Sequence, residues 1–317
     1  MQGLTEKMML LDILLIIVGV TMVLYGADKL TEGASALARR MHVPEIVIGL
    51  TIVAAGTSAP ELFVSVVSAL NGTPDLAVGN VVGSNTMNCM LIVGCAAMVA
   101  PMTISRSTVR KDIPFAVMAS ILLTCIALDN YLGRIDGIIL LLGFVVFMAY
   151  TLLQAKNGQA EPQTEVRQLN PWLSLLFLVI GLAMLVTGSN VFVGSASSVA
   201  AALGVSEGVI GLTVVAGGTS LPELATSVVA ARKGQSAIAI GNVIGSNVFN
   251  ILLILGMTAV ISPLQIEGIT TIDMAVILIS VILVWLFSFT RFTVERWEGA
   301  LLVGGYLVYL VWLISSL

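Results

Sequence analysis

The 317 residues are 58% hydrophobic and 10% charged, with a net charge of −4, whereas soluble domains carry about 25% charged residues. With a mean hydropathy of +1.05, the chain reads as an integral membrane protein. Its 14 basic residues sit in short loops without forming a run, so nucleic acid is not an expected partner.

Apolar stretches long enough to cross the hydrocarbon, about 20 residues each, recur at 8–34, 44–70, 76–100, 112–129, 135–153, 172–201, 207–231, 237–261, 273–290 and 297–316. Ten transmembrane helices are therefore expected. Asp28, Lys29 and Glu32, toward the end of the first span, read as interfacial anchors, and His42 beside Arg39 and Arg40 as a solvated loop residue. Cys89, Cys95 and Cys125 lie within apolar spans and read as packed thiols, neither a disulfide framework nor a metal cluster.

The chain also repeats itself. Residues 26–101 align without a gap with 188–263, and more than half of the positions from Val43 to Gly94 are identical to those 162 residues on. The first span thus has a counterpart in the sixth, and is expected to be retained, not cleaved as a signal peptide. The expected domains are a first five-helix repeat at 1–153 with its motif at 47–94, a linker at 154–170, and a second repeat at 171–317 with its motif at 209–256. Because five is odd, the second copy must enter the membrane inverted.

Basic residues provide an independent test, because cytoplasmic loops are enriched in Lys and Arg. With the N-terminus outside, the inner loops hold Arg39, Arg40, Arg106, Arg110, Lys111, Lys156, Arg167, Arg232, Lys233, Arg291 and Arg296, while the outer loops hold only Lys7 and Arg134. Both termini are accordingly expected outside a cytoplasmic (inner) membrane. The polar linker QAKNGQAEPQTEVRQLN, Gln154 to Asn170, is expected inside and is too short for a folded domain.

The chemistry concentrates in the paired motifs. VIGLTIVAAGTSAPELFVSVVSAL carries Glu61 and VIGLTVVAGGTSLPELATSVVAA carries Glu223. A charge at the centre of a span costs roughly 2.5–3.5 kcal/mol, so an acid kept there marks a functional site. Pro60 and Pro222 lack the N–H that would bond the carbonyls of Gly56 and Gly218, so spans two and seven are expected to be broken helices with carbonyls turned inward. They would lie beside the hydroxyls of Thr57, Ser58, Thr219 and Ser220. The next spans carry GNVVGSNTMN and GNVIGSNVFN. Gly79, Gly83, Gly241 and Gly245 permit close helix approach, and Ser84 with Asn88, like Ser246 with Asn250, share a helix face. Asn80, Asn85, Asn242 and Asn247 suit either of two roles, cross-linking helices or touching an ion. An all-oxygen donor set selects hard cations such as Ca²⁺, and the lack of sulfur and imidazole argues against zinc or copper. Inverted repeats with broken helices and a midplane site are the pattern of secondary transporters.

These motifs resemble the alpha repeats of the sodium/calcium exchanger family, within the calcium/cation antiporter superfamily, in its prokaryotic form with a short linker. The resemblance spans essentially the whole chain. It implies an all-α integral membrane protein of ten transmembrane helices, in two inverted five-helix repeats with helices 2 and 7 broken at the core. It implies that Glu61 and Glu223 are the central carboxylate ligands, completed by Asn88 and Asn250. Thr57, Ser58, Ser84, Thr219, Ser220 and Ser246 would serve flanking ion sites. It implies that the first and sixth helices slide against the other eight, a role to which Gly26 with Gly33, and Gly188 with Gly194, are a loose match. Members of the family often have Asp where this chain has Asn88 or Asn250, so here the cage holds two formal negative charges at most.

The expected activity is antiport of Ca²⁺ against Na⁺ by alternating access, with both ions as cargo and no prosthetic group. Expelling Ca²⁺ against 100 mV takes about 4.6 kcal/mol, and a ten-thousandfold gradient adds about 5.5 kcal/mol, so more than one Na⁺ is expected per Ca²⁺. A cation/proton antiporter is the nearest alternative and a cation channel a further one. An intramembrane enzyme is not expected, because HExxH and paired intramembrane aspartates are absent from the sequence.

Overall fold

The computed structural model describes residues 2–157, 170–204, 214 and 216–315. Most of the expected linker, and the start of the seventh span with the opening of the second motif, lie outside the described residues. In chain order the helices are α1 (Gln2–Met41), α2 (Glu45–Thr57), α3 (Ala59–Leu70), α4 (Pro74–Val99), α5 (Ile113–Ile126), α6 (Arg134–Asn157), α7 (Pro171–Ala202), α8 (Ala216–Thr219), α9 (Leu221–Arg232), α10 (Ser236–Ile261), α11 (Thr271–Phe289) and α12 (Arg296–Ser315). Among the described residues seven helices are long and apolar enough to cross a membrane, or eight if the bent pair α2–α3 counts as one span. The stretch expected at 112–129 appears as the 14-residue α5, which continues from a π-helical turn at Thr108–Asp112.

Helices α4 and α10 form the centre, with 78% of each apolar window buried against 17% for α1, α6 and α12. The outer helices instead present Leu10, Ile17, Leu24, Leu142, Val146 and Val308. Such faces suit a lipid solvent, in which an exposed leucine costs nothing.

The longest helices, α1 and α7, run antiparallel along a seam of small residues. A Cβ added at Gly19 would lie 2.8 Å from the Gly188 carbonyl, one at Gly26 2.8 Å from that of Gly181, and one at Gly33 2.7 Å from that of Ser174. The seven-residue spacing is about two helical turns, which keeps all three contacts on one stripe. The sequence expectation therefore needs correcting in part. Gly26, Gly33 and Gly188 lie on the seam with Gly19 and Gly181, whereas a Cβ at Gly194 meets nothing within 4 Å among the described residues. Near the far end of the stripe, Lys233 ties α1 to the corner after α9: its Nζ lies 2.6 Å from Asp28 Oδ1, 2.9 Å from the Asp28 carbonyl and 3.1 Å from Thr31 Oγ1. Lys29 pairs within the helix with Glu32 at 2.9 Å and stacks 4.7 Å from the Phe177 ring centre on α7.

Contacts between the two halves come in matched pairs. A Cβ added at Gly94 of α4 would lie 2.7 Å from the Gly299 carbonyl of α12, and one at Gly137 of α6 would lie 2.7 Å from the Gly256 carbonyl of α10. Four two-residue strands, which the all-α expectation did not include, follow the same rule: β1 (Met102–Thr103) pairs antiparallel with β4 (Thr293–Val294), and β2 (Tyr131–Leu132) with β3 (Leu264–Gln265). Met102 faces Val294 and Leu132 faces Leu264, so moving each partner of one pair 162 residues into the other half gives the second pair. Gly241 and Gly245 of α10 approach Gly49, Leu50 and Ala54 of α2. Gly211 and Leu212, the sequence counterparts of Gly49 and Leu50, lie outside the described residues.

Candidate cation site

The two acids sit just past matched breaks. Ser58 separates α2 from α3 with φ −83° and ψ 6°, and Ser220 separates α8 from α9 with φ −90° and ψ 7°. At the first break the axes bend by 46°. Pro60 and Pro222 occupy the first turns of α3 and α9, where a missing N–H leaves no bond unmade. Glu61 and Glu223, one residue later, are buried to 0% and 1% exposure.

Each acid is gripped by the opposite copy. Ser58 Oγ donates to Glu223 Oε1 at 3.1 Å, and Ser220 Oγ donates to Glu61 Oε1 at 3.2 Å. Ser84 Oγ from α4 lies 3.2 Å from Ser220 Oγ. The Thr57 side chain flanks Glu223, and that of Thr219 flanks Glu61. Thr57 Oγ1 also lies 3.1 Å from the Val53 carbonyl and 3.0 Å from Asn242 Oδ1.

A second row of amides braces this arrangement. Asn80 Nδ2 donates to the Glu61 carbonyl at 3.2 Å and to Ser65 Oγ at 3.0 Å; Asn242 Nδ2 donates to the Glu223 carbonyl at 3.3 Å and to Ser227 Oγ at 3.0 Å. Asn85 and Asn247 span the halves. Asn250 Nδ2 donates to Asn85 Oδ1 at 2.9 Å and Asn88 Nδ2 to Asn247 Oδ1 at 3.0 Å. The four asparagines whose role the motif left open thus cross-link helices. Asn88 and Asn250 themselves lie in π-helical turns, Asn88–Ile92 and Phe249–Leu255, a distortion that recurs at functional sites because it re-aims side chains.

What remains unpaired is as informative as what is bonded. Glu61 Oε2, Glu223 Oε2, Asn88 Oδ1, Asn250 Oδ1 and Ser246 Oγ are buried with no hydrogen-bond partner among the described residues. Leaving a buried polar atom unsatisfied costs about 1–3 kcal/mol, and more for a charged group. Such atoms in a native structure call for an explanation, an ion being one. All five are oxygens, and no group of three or more His, Cys, Asp and Glu that could hold a metal occurs among the described residues. Two carboxylates with neutral oxygens are donor types that suit a hard cation.

The breaks differ from expectation in one respect. The Gly218 carbonyl is not left free, because Ser189 on α7 donates its hydroxyl to it. The same helix packs Leu182 against Gly56 and Val193 against Gly218, so α7 rests on both breaks.

The sodium/calcium exchanger protein family model matches residues 11–153 and 173–315. The chain belongs to this family. Within it, an inner membrane protein of Escherichia coli, YrbG, is 37% identical over 96% of this chain and 97% of its own length. The sodium/calcium exchanger MaX1 of Methanosarcina acetivorans is 31% identical over 96% of this chain and 99% of its own. Among solved structures, the sodium-calcium exchanger NCX_Mj soaked with Na⁺ and Ca²⁺ matches with a TM-score of 0.84 at 32% identity, covering 95% of this chain and 98% of that one. This exchanger is thus a multi-pass membrane protein of an antiporter family.

The sequence alone does not separate the asparagines that keep a buried unpaired oxygen from those that do not. Asn80, Asn85, Asn88 and their counterparts are equally polar and equally repeated. In the structure Asn88 and Asn250 differ from the others by an amide oxygen left without a partner among the described residues.

Proposed function

We propose that this chain is a secondary antiporter that exchanges Ca²⁺ for Na⁺ by alternating access, with Glu61, Glu223, Asn88 and Asn250 as the central ligands. Thr57, Ser58, Ser84, Thr219, Ser220 and Ser246 line the flanking positions. The observation that carries the reading is the set of four buried oxygens, two carboxylate and two amide, that have no partner among the described residues. A Ca²⁺ ion supplies the two positive charges that neutralise the carboxylates, and two Na⁺ do the same. An empty cage leaves two bare charges in a low dielectric, so passage is favoured when loaded, and that condition couples the fluxes. NCX_Mj and MaX1 carry names that specify Na⁺ and Ca²⁺ exchange, which supports the same cargo here.

The topology belongs to the same reading: ten spans, in two inverted five-helix halves joined by a cytoplasmic linker, with both termini outside the cytoplasmic membrane. The 162-residue periodicity of the contacts and the antiparallel seam between α1 and α7 support it. That seam joins the two helices along backbone, and α7 bears on both breaks, so a slide of the pair is felt at the cage.

The test is uptake of ⁴⁵Ca²⁺ into proteoliposomes with Na⁺, K⁺ and H⁺ gradients imposed one at a time. An outward Na⁺ gradient drives uptake, and Glu61→Gln or Glu223→Gln abolishes it while the protein still elutes as a folded species. Normal flux in both variants refutes the site. A second reading, Ca²⁺/H⁺ antiport, is favoured by the same Glu61 Oε2 and Glu223 Oε2 atoms, since each is a place for a proton. Uptake driven by a pH gradient in Na⁺-free buffer decides for it.

A further inference from the structure

A neutral amide is a cation ligand only if its oxygen, not its NH₂ group, faces the ion. Something must therefore set the orientation of Asn250, and a chain of hydrogen bonds does so from a fixed starting point. Asn85 Nδ2 lies 3.1 Å from the backbone carbonyl of Asn247. A carbonyl can only accept, so the NH₂ of Asn85 must point there. That turns Asn85 Oδ1 toward Asn250, and because an oxygen of this kind cannot donate, Asn250 must answer with its own NH₂, at 2.9 Å. Asn250 Oδ1 is then left buried without a partner among the described residues. All three asparagines are at most 3% exposed, so water does not relax the sequence of constraints.

The opposite side is anchored differently. Asn88 Nδ2 donates to Asn247 Oδ1, but the Asn247 NH₂ ends on Cys89 Sγ at 2.9 Å. A thiol both donates and accepts weakly, so this lock is softer than the one ending on a backbone carbonyl.

We infer that Asn85 is a positioning residue for transport: it locks the Asn250 side chain with its carbonyl oxygen toward the transported cation. This rests on the proposed cation site and adds to it a residue that touches no ion. Removing Asn85 Oδ1 lets Asn250 turn its NH₂ inward, where it repels the cation. Loss of such a supporting partner typically weakens metal binding about 10–100-fold.

The experiment measures the KM for Ca²⁺ and the maximal rate of Na⁺-driven ⁴⁵Ca²⁺ uptake in proteoliposomes. Asn85→Ala is expected to raise the KM at least about tenfold with a smaller effect on maximal rate. Asn85→Thr, whose hydroxyl both donates to the Asn247 carbonyl and accepts from the Asn250 NH₂, is expected to raise the KM less than Asn85→Ala. In an Asn250→Asp background, where either oxygen serves the ion, adding Asn85→Ala should change the KM by less than about threefold, a coupling that general loosening of the helix would not produce. A KM unchanged by Asn85→Ala, or the same rise in both backgrounds, overturns the proposal. If Asn85→Ala is recovered only as aggregate, Asn85→Thr carries the test in the same two backgrounds, and an equal change of KM in both overturns it. Should Asn250→Ala itself leave the KM unaltered, the cation site fails, not only the positioning role.

Discussion

Gly26→Ala and Gly194→Ala add the same methyl group to helices of the same seam pair, yet their effects should have opposite signs. At Gly26 the new Cβ would stand 2.8 Å from the Gly181 carbonyl oxygen and 3.0 Å from Leu185 N. Both are backbone atoms, so no rotamer change relieves the clash and the two helices must part. Overpacking of this kind costs about 1–3 kcal/mol, against which the better helix propensity of alanine returns up to about 1 kcal/mol. With the full propensity gain subtracted, the net loss on the seam is up to about 2 kcal/mol, a factor of up to roughly 30. At Gly194 the methyl meets nothing within 4 Å among the described residues, leaving only the propensity gain. Thermal unfolding in detergent and initial rates of Na⁺-driven ⁴⁵Ca²⁺ uptake are measured on the same preparations. Gly26→Ala should melt lower and transport more slowly; Gly194→Ala should melt at the same temperature or higher and transport normally. Indistinguishable behaviour of the two variants refutes the seam as a sliding surface.

Lys233→Met removes the tie between α1 and the corner after α9, a partly exposed pair for which about 0.2–1 kcal/mol is typical. On the proposed slide of α1 and α7 the tie would hold the pair in the arrangement described here, so the apparent Ca²⁺ affinities measured from the two membrane faces should shift in opposite directions, and equal shifts would count against it. Asn242→Ala strips the Glu223 carbonyl and Ser227 of a buried donor, at about 1–3 kcal/mol; a lower melting temperature is expected, and an unchanged one shows that the brace carries no load. A cage of flexible oxygens accepts Sr²⁺ in place of Ca²⁺ but not Mg²⁺, which demands near-octahedral geometry at about 2.0–2.1 Å and dehydrates reluctantly. Excess Sr²⁺ should therefore suppress ⁴⁵Ca²⁺ uptake where equal Mg²⁺ does not, and equal suppression by both would argue against this coordination.

Much of the architecture was open to reading because it is written twice. A proline that cannot donate at position 60 and again at 222 dictates a break by stereochemistry alone, and the serines before them adopt nearly the same dihedral angles. The recurrence of acid, serine and amide at one offset brought the two motifs into the same argument before any coordinates. Less was visible where geometry depends on register. The seam needs Gly19 and Gly181, which are unremarkable glycines until the two helices are laid antiparallel with Gly26 facing Gly181. Strands of two residues carry no alternation to detect. The π-helical turns at Asn88 and Asn250 lie in apolar helical sequence with no proline to announce them. The Lys233–Asp28 pair joins residues 205 positions apart, and Asp28 alone looks like any charge near a helix end.

The matched contacts between halves bear on how the protein is made. Gly94 finds its partner only at Gly299, and β1 completes its pairing only with β4, at Thr293–Val294. Ribosomal synthesis at about 5–20 residues per second therefore leaves the first half in the bilayer for roughly ten seconds or more with a bare glycine face and an unpaired strand. A nascent chain arrested before α12 should remain accessible to protease, and the two halves expressed as separate polypeptides should accumulate only when produced together.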